Sequence, residues 1–178
     1  HSFPTRRSSD LFLIQNPPSR YLEENEMDKI ASYPYQRDLH PYHAKDGKVK
    51  ALETIKFSIM THHGCWGECN YCAIAAHQGR TIRTRSEENI LSEAKHFTTL
   101  KDFKGIISDV GGPTANMYGY ECKKKMNLGT CIDNKRCVDA HRLCRTMKVD
   151  HSRNIKLLKD IRAIPKVKKA FIASGIRY

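Results

Sequence analysis

Residues 54–72 read TIKFSIMTHHGCWGECNYC, an alternating segment that runs directly into a loop with three cysteines. In the first eight positions, Ile55, Phe57 and Ile59 alternate with polar or small residues. A period of two predicts a strand with one buried face. Glycines within the loop allow the backbone to bend closely. The segment therefore predicts a strand whose carboxyl end presents a cysteine loop.

The loop spaces Cys65, Cys69 and Cys72 as C-x3-C-x2-C, so their thiols must surround one compact centre. Cubane iron–sulfur clusters take a thiolate at each iron. Three protein thiolates would leave one iron open for an outside ligand. Zinc is the alternative, although its sites more often use paired C-x2-C units and it needs a fourth ligand. Three nearby histidines could supply that ligand: His62, His63 and His77. Three thiols that bind nothing are the remaining interpretation, which leaves their clustering unexplained.

Helix and strand patterns alternate downstream of this loop. First comes a helix that begins at Ser86, with an apolar stripe of Ile90, Leu91, Ala94 and Phe97, followed by a strand over residues 105–110. A second helix begins at Ser152, carries Ile155, Leu158 and Ile161 on one face and is stopped by Pro165. A strand over residues 169–174 follows it. This βαβαβ order predicts an α/β fold with parallel strands joined by right-handed crossovers. Three strands are too few to close a barrel.

The 178 residues carry a formal net charge of +12, which indicates attraction to an anionic partner, RNA among them. A solvated basic face is the plainer interpretation. Seven cysteines without a secretory signal favour a reducing compartment, so we expect a cytoplasmic protein. The longest apolar runs, such as residues 11–14, are far shorter than the ~18 residues of a membrane-spanning helix. The sequence therefore predicts no membrane partner.

A second set of cysteines, spaced C-x8-C-x5-C-x6-C, comprises Cys122, Cys131, Cys137 and Cys144. It lies in a poorly periodic, Lys- and Arg-rich insertion over residues 117–150. Four thiolates are the complete ligand set of a fully ligated cubane or a structural zinc ion, and neighbouring cations lower thiol pKa values. We expect an auxiliary iron–sulfur or zinc site here, with free thiols as the alternative.

The C-x3-C-x-aromatic-C loop after the first strand resembles that of the radical S-adenosylmethionine (SAM) enzymes. Further motifs are similar to the YgiQ-type branch of that superfamily: HQGR at residues 77–80, RSEENIL at 85–91, DVGGPTANMYG at 109–119, DHS at 150–152 and ASGIRY at 173–178. The resemblance extends from residue 13 to the last residue. It implies a partial, TIM-like (βα)6 barrel, of which this chain holds about the first three βα units.

The resemblance also implies domain limits. Residues 1–12 fit nothing downstream and are expected to be a non-native leader. The Pro- and Tyr-rich residues 13–50, with one short helix near residues 23–32, are expected to link a missing N-terminal region to the core. Residues 51–178 would be the N-terminal half of the radical SAM core. This piece of a longer protein is expected to be inactive by itself.

The resemblance further assigns site residues. Cys65, Cys69 and Cys72 would each ligate one iron of a [4Fe–4S] cluster, and the fourth iron would bind the amino and carboxylate groups of SAM. Gly111, Gly112 and Pro113 match the glycine-rich edge that accepts the methionyl ammonium, although alone they indicate only a turn. Arg177, on the rim of the expected site, could bind a carboxylate of SAM or substrate, or pair with a structural acid.

The implied function is reductive cleavage of SAM to a 5′-deoxyadenosyl radical, which would take a hydrogen from a substrate that the sequence does not name. A flavodoxin- or ferredoxin-like protein would supply the electron. The histidines beside the loop are not expected to be catalytic. The alternative function is a non-catalytic, cysteine-rich zinc-binding module that contacts nucleic acid.

Overall fold

The computed structural model describes residues 2–4, 12–14, 16, 20–128, 131, 137–139 and 142–176. The strands are β1 (Ser2–Pro4), β2 (Phe12–Ile14), β3 (Ser58–Met60), β4 (His62–His63), β5 (Arg83–Thr84), β6 (Ile106–Ile107), β7 (Asp109–Gly111), β8 (Val138–Asp139), β9 (Arg142–Leu143) and β10 (Lys169–Ala170). The α-helices are α1 (Glu24–Ala31), α2 (Lys50–Ile55), α3 (Ile74–His77), α4 (Glu87–Phe97), α5 (Lys123–Leu128) and α6 (Ser152–Ala163). Two 3-10 helices cover Pro41–Asp46 and Ala115–Met117.

Three parallel segments form the centre of the fold. Strand β3 pairs with β7, and β6 pairs with β10, both in parallel. The backbone N–H of Val110 donates to the carbonyl of Phe171 at 2.9 Å, which extends the second pairing beyond β10. The segment 105–111 therefore lies between β3 and β10. This arrangement confirms parallel strands in the order that the βαβαβ pattern predicts.

Helices α4 and α6 cover this sheet with apolar side chains. Ser86 caps α4 by accepting the N–H of Asn89 at 3.1 Å, as its position before two glutamates predicts. The core combines residues of both helices with residues of the strands: Ile59, Ile90, Ala94, Phe97, Ile107, Val110, Tyr118, Leu157, Ile161 and Ile164. The two crossover helices thus hold the strands in one layer and leave the carboxyl ends of the strands to form a shared edge.

The predicted strand over residues 54–61 is wrong at its start. Helix α2 continues to Ile55, whose side chain is 59% exposed, whereas Ile59 in β3 is 1% exposed. The residues before Ile55 include Ala51, Leu52 and Glu53, all good helix formers. Ile55 is therefore the last residue of a helix, although it alternates with Phe57 as the residues of a strand do. The strand predicted over residues 169–174 is likewise shorter, and that over 105–110 divides into β6 and β7.

The predicted face of α6 is confirmed at Ile161, which is buried, and at Leu158, which packs against the core, but it is wrong at Ile155. Ser152 is the first helical residue, and its N–H donates at 2.9 Å to Asp150, whose carboxylate satisfies this helix end. Ile155 is 50% exposed, and the buried face carries Asn154 and Leu157 instead. The Asn154 amide donates to the carbonyl of Ala115 at 3.5 Å. A polar residue on the buried face hid the true periodicity of the helix.

The segment before the sheet contacts helix α4. Helix α1 falls within the short helix predicted near residues 23–32, and the Asp28 carboxylate accepts the N–H of Ser86 at 3.0 Å. The Asn89 side chain donates back to the Ser32 hydroxyl at 2.7 Å. Helix α1 is therefore docked on the start of α4.

The described residues form a mixed α/β fold with small parallel sheets, and their strands do not close into a barrel. The six-stranded partial barrel stays a prediction. None of the helices in the described part of the chain is long and apolar enough to span a membrane.

Candidate functional site

The carboxyl ends of the three parallel segments meet at one edge. After β3, the N–H of Thr61 donates to the carbonyl of Gly111 at 2.7 Å, which joins it to the end of β7. After β10, the Ser174 hydroxyl donates to the Asp109 carboxylate at 2.9 Å. The N–H of Ala115 donates to the carbonyl of Gly175 at 2.9 Å. In α/β folds with parallel strands, ligands bind at this edge.

The cysteine loop begins at this edge and is closed at its base. The N–H of Cys65 donates to the carbonyl of Gly79 at 3.1 Å, and the N–H of Gly64 donates to the Gln78 side chain at 3.2 Å. Gly64 has φ +84°, and a Cβ there would lie 2.3 Å from the carbonyl oxygen of Thr81. Only glycine fits this close backbone crossing. The loop is thereby anchored before its first cysteine.

Cys65 is the innermost thiol of the loop. It is 8% exposed, and its sulfur accepts the backbone N–H of Gly67 at 3.3 Å. The Cys65 sulfur also lies 3.5 Å from the hydroxyl of Thr114, in the turn after β7. Cys69 and Cys72 are partly buried, and the N–H of Cys72 donates to the carbonyl of Cys69 at 2.9 Å. Backbone N–H donors to sulfur stabilise the thiolate form and tune iron–sulfur clusters.

The donor set of the loop fits an iron–sulfur cluster in its chemistry. All three cysteines are outside disulfides, and the innermost sulfur already has an N–H donor. Within the residues that the structure describes, however, no three His, Cys, Asp or Glu side chains converge as a formed metal-binding group. The loop therefore offers the right ligands on a backbone that is fixed at its base.

His62 packs against the turn that follows β7. The ring is fully buried, and its Nε2–H donates to the carbonyl of Thr114 at 3.1 Å, which leaves Nδ1 as the acceptor of the Thr61 hydroxyl at 2.8 Å. Burial lowers the pKa of His62 to about 4, only partly opposed by the bond to Thr114. A Cβ at Gly112 would lie 2.7 Å from this ring. His62 is thus a neutral packing residue, and its ring and backbone oxygen together leave room only for glycine at position 112.

Gly112 and Pro113 are partly exposed, beside the Cys65–Thr114 contact. Gly111 is buried, and a Cβ there would lie 3.2 Å from the side chains of Ala115 and Ser174. The structure thus brings the predicted glycine turn next to the first cysteine. Arg177 lies outside the described residues.

The sequence analysis did not single out Arg85, whose side chain contacts the end of β3. Its guanidinium donates to the carbonyl of Met60 at 2.8 Å and forms an ion pair with Glu93 at 2.6 Å. Its own carbonyl accepts the hydroxyl of Tyr118 at 3.2 Å. Thr114 was missed as well, because its contacts with Cys65 and His62 join segments about fifty residues apart. No local pattern signals such contacts.

The second cysteine set surrounds a short hairpin. Strands β8 and β9 are antiparallel, and the N–H of Cys144 donates to the carbonyl of Cys137 at 2.9 Å, so these two cysteines are cross-strand neighbours. The Thr146 hydroxyl lies 3.1 Å from the Cys144 sulfur and 3.8 Å from the Cys122 sulfur. Hydrogen bonds from Thr146 lower the pKa of the Cys144 thiol. Cys131 is partly buried.

Trp66 connects the two cysteine sets. It is 1% exposed and belongs to one buried cluster with Cys65, Cys122 and Cys137. The ammonium of Lys125 lies 5.7 Å from the centre of the Trp66 ring. The loop cysteines and the insertion therefore share a buried core, which the spacing of the cysteines did not reveal.

Comparison with known proteins identifies the family. A family model described as Radical SAM N-terminal matches residues 4–58. A UPF0313 protein of Fusobacterium nucleatum is 55% identical over 173 residues, which are 97% of this chain and 30% of that protein. A UPF0313 protein of Clostridium botulinum is 46% identical over 97% of this chain and 27% of its own length. One from Clostridium perfringens is 45% identical, over 94% and 25% respectively.

This chain belongs to the UPF0313 family, which is YgiQ-like and part of the radical SAM superfamily. The resemblance drawn from the cysteine loop and the flanking motifs is confirmed. The chain spans between 25% and 30% of the length of these relatives.

Proposed function

We propose that this chain forms the cluster-binding part of a radical SAM enzyme. In the full-length protein, Cys65, Cys69 and Cys72 hold a [4Fe–4S] cluster, and the protein cleaves SAM reductively to a 5′-deoxyadenosyl radical. The observation that carries the proposal is the contact between Cys65, after β3, and Thr114, after β7, at 3.5 Å. This contact joins the cysteine loop to the glycine turn at the edge where α/β folds bind ligands.

Family membership supports the enzyme class, and the donor chemistry of the loop supports the cofactor. When bound, a cluster with one iron free of protein ligands supplies an electron to the sulfonium of SAM. The chain itself supplies position and shielding. Trp66 is buried beside Cys65 and keeps water from that side of the loop, whereas Tyr71 is 91% exposed.

The glycine turn supports SAM binding. Gly112 and Pro113 are partly exposed, which supports contact between a small cation and their backbone carbonyls. His62 fixes this turn through its bond to the carbonyl of Thr114. We assign Gly111, Gly112 and Pro113 to the methionyl ammonium and a flavodoxin- or ferredoxin-like protein to electron supply.

Anaerobic reconstitution of the full-length native protein with iron and sulfide tests this function. We expect four irons and four sulfides to bind at the loop, a broad iron–sulfur absorbance, and a paramagnetic signal of the reduced cluster that SAM perturbs. The variant with alanine at Cys65, Cys69 and Cys72 is the matched control and loses this cluster. Colourless protein that binds stoichiometric zinc at the loop instead would overturn the proposal and favour the zinc-binding module.

A further inference from the structure

We propose that Cys122, Cys131, Cys137 and Cys144 bind one structural zinc ion, separate from the cluster loop and independent of the proposed enzyme activity. Four thiolates at tetrahedral angles are a preferred ligand set of structural zinc. On binding, each thiol releases its proton to solvent and forms one Zn–S bond, so no oxidant or reductant is needed.

The described side chains do not yet form a finished metal-binding group, but Cys122, Cys137 and Cys144 belong to one cluster of packed side chains. Cys137 and Cys144 are opposite each other where the β8–β9 hairpin begins, joined by a 2.9 Å backbone hydrogen bond. Cross-strand neighbours have Cβ atoms about 5 Å apart, which allows both sulfurs to reach one ion. Cys122, just before α5, contacts the same Thr146 hydroxyl as Cys144. Two sulfurs from two chain segments thus contact a single small side chain, and Cys137 is the cross-strand neighbour of one of them.

Lys125 supplies a buried positive charge beside these sulfurs. It is 2% exposed, and its ammonium donates to the carbonyl of Arg80 at 2.6 Å. None of the ion pairs between described residues includes Lys125. Burying an uncompensated ammonium is costly. A zinc ion with four thiolates carries a net negative charge and would compensate it.

Trp66 provides a second buried group that lacks a partner. Its indole Nε1 is buried without a hydrogen-bond acceptor in the described structure, and the ring belongs to the same buried cluster as Cys65, Cys122 and Cys137. Buried indole N–H groups normally find an acceptor. Zinc-bound thiolate sulfur is such an acceptor.

A single ion needs less space than a second cubane. The sulfurs of Cys122 and Cys144 lie 3.8 and 3.1 Å from the Thr146 hydroxyl. Zn–S bonds of about 2.3 Å bring four sulfurs into close contact. The surrounding side chains of Met117, Tyr120 and Met147 are buried and fill the neighbouring space.

Metal analysis of the full-length protein that carries Cys65→Ala, Cys69→Ala and Cys72→Ala tests the proposal. We expect one more zinc ion per chain than in the same protein that also carries Cys137→Ser and Cys144→Ser. Thr146→Val changes the same pocket without removing sulfur and should keep the zinc. Equal zinc contents, or iron and sulfide in place of zinc, would overturn the proposal.

Two further measurements do not depend on how well the serine variants fold. X-ray absorption at the zinc edge of the protein with Cys65→Ala, Cys69→Ala and Cys72→Ala should show a shell of four sulfurs at about 2.3 Å. A shell of nitrogen and oxygen would contradict the proposal. Co²⁺ in place of zinc should quench the fluorescence of Trp66, measured as the difference from a Trp66→Phe protein. An unquenched Trp66 signal with Co²⁺ bound would refute the site beside this ring.

Discussion

The imidazole of His62 lies where a side chain at Gly112 would begin, with ring atoms 2.7 Å from the position of a Cβ. The ring is fixed because its Nε2–H donates to the carbonyl of Thr114. The backbone oxygen of His62 also lies 2.7 Å from that position, so ring and backbone together restrict position 112 to glycine. This relationship connects packing at the sheet edge with the surface that we assign to SAM.

Gly112→Ala should lower the free energy of unfolding by about 1–3 kcal/mol, because a methyl group forced into a packed region displaces its neighbours. It should also weaken SAM binding, since the displaced turn carries the carbonyls assigned to the ammonium. Urea denaturation monitored by pulse proteolysis and equilibrium SAM binding measure the two effects. Gly175→Ala is the control: a Cβ there meets nothing within 4 Å, so its change should stay within about 0.5 kcal/mol. Equal effects of the two substitutions would contradict the steric argument.

The free energy of unfolding should decrease as the pH is lowered from about 6.5 to about 4, because of His62. The pKa of the folded-state ring is about 4, against 6.5 for an ordinary histidine, and the cause is burial. Below pH 6.5 the His62 ring of the unfolded chain binds a proton, whereas the ring in the folded chain binds one only near pH 4. The free energy of unfolding therefore decreases as the pH falls over this range. The full effect is roughly 3 kcal/mol, and it is absent above pH 6.5.

Urea denaturation at several pH values checks this dependence. His62→Gln keeps an amide donor for the carbonyl of Thr114 but removes the titrating ring. This variant should be less stable at neutral pH, and its stability should depend less on pH over the same range. An unchanged pH dependence in the variant would show that other groups cause it.

Gly64→Ala should disturb the cysteine loop more than Gly47→Ala does. Both glycines have positive φ, +84° and +100°, so alanine is strained at both, by about 1–2 kcal/mol. Only at Gly64 does the added Cβ collide with a backbone atom, the carbonyl oxygen of Thr81. Iron retained after anaerobic gel filtration of the reconstituted full-length protein should fall for Gly64→Ala and not for Gly47→Ala. A similar loss of iron in both variants would assign the effect to backbone strain alone.

Local signals predicted much of the fold. Ser86 before two glutamates marked the start of α4, and the apolar stripe through Ile90 and Phe97 gave its buried face. The errors arose where two patterns overlap or where a polar residue is buried. Ile55 ends a helix although it alternates like a strand residue, and Asn154 occupies a core position of α6 that the sequence pattern gave to Ile155.

The candidate site likewise has a part that the sequence predicts and a part that depends on the fold. Cys65, Cys69 and Cys72 were recognisable because their ligand chemistry depends on local spacing. The contacts of Thr114 with Cys65 and His62 join distant segments, and only the fold brings them together. The approach of the second cysteine set to Trp66 likewise depends on the insertion folding back on the loop.

Release of 5′-deoxyadenosine from SAM by the full-length protein under dithionite tests the central claim most directly. We expect release by the native protein and by Gly175→Ala. Each of Cys65→Ala, Cys69→Ala and Cys72→Ala should reduce it to the level seen without protein, because each removes one of the three sulfurs that hold the cluster. Undiminished release from any one of the three variants would contradict the account.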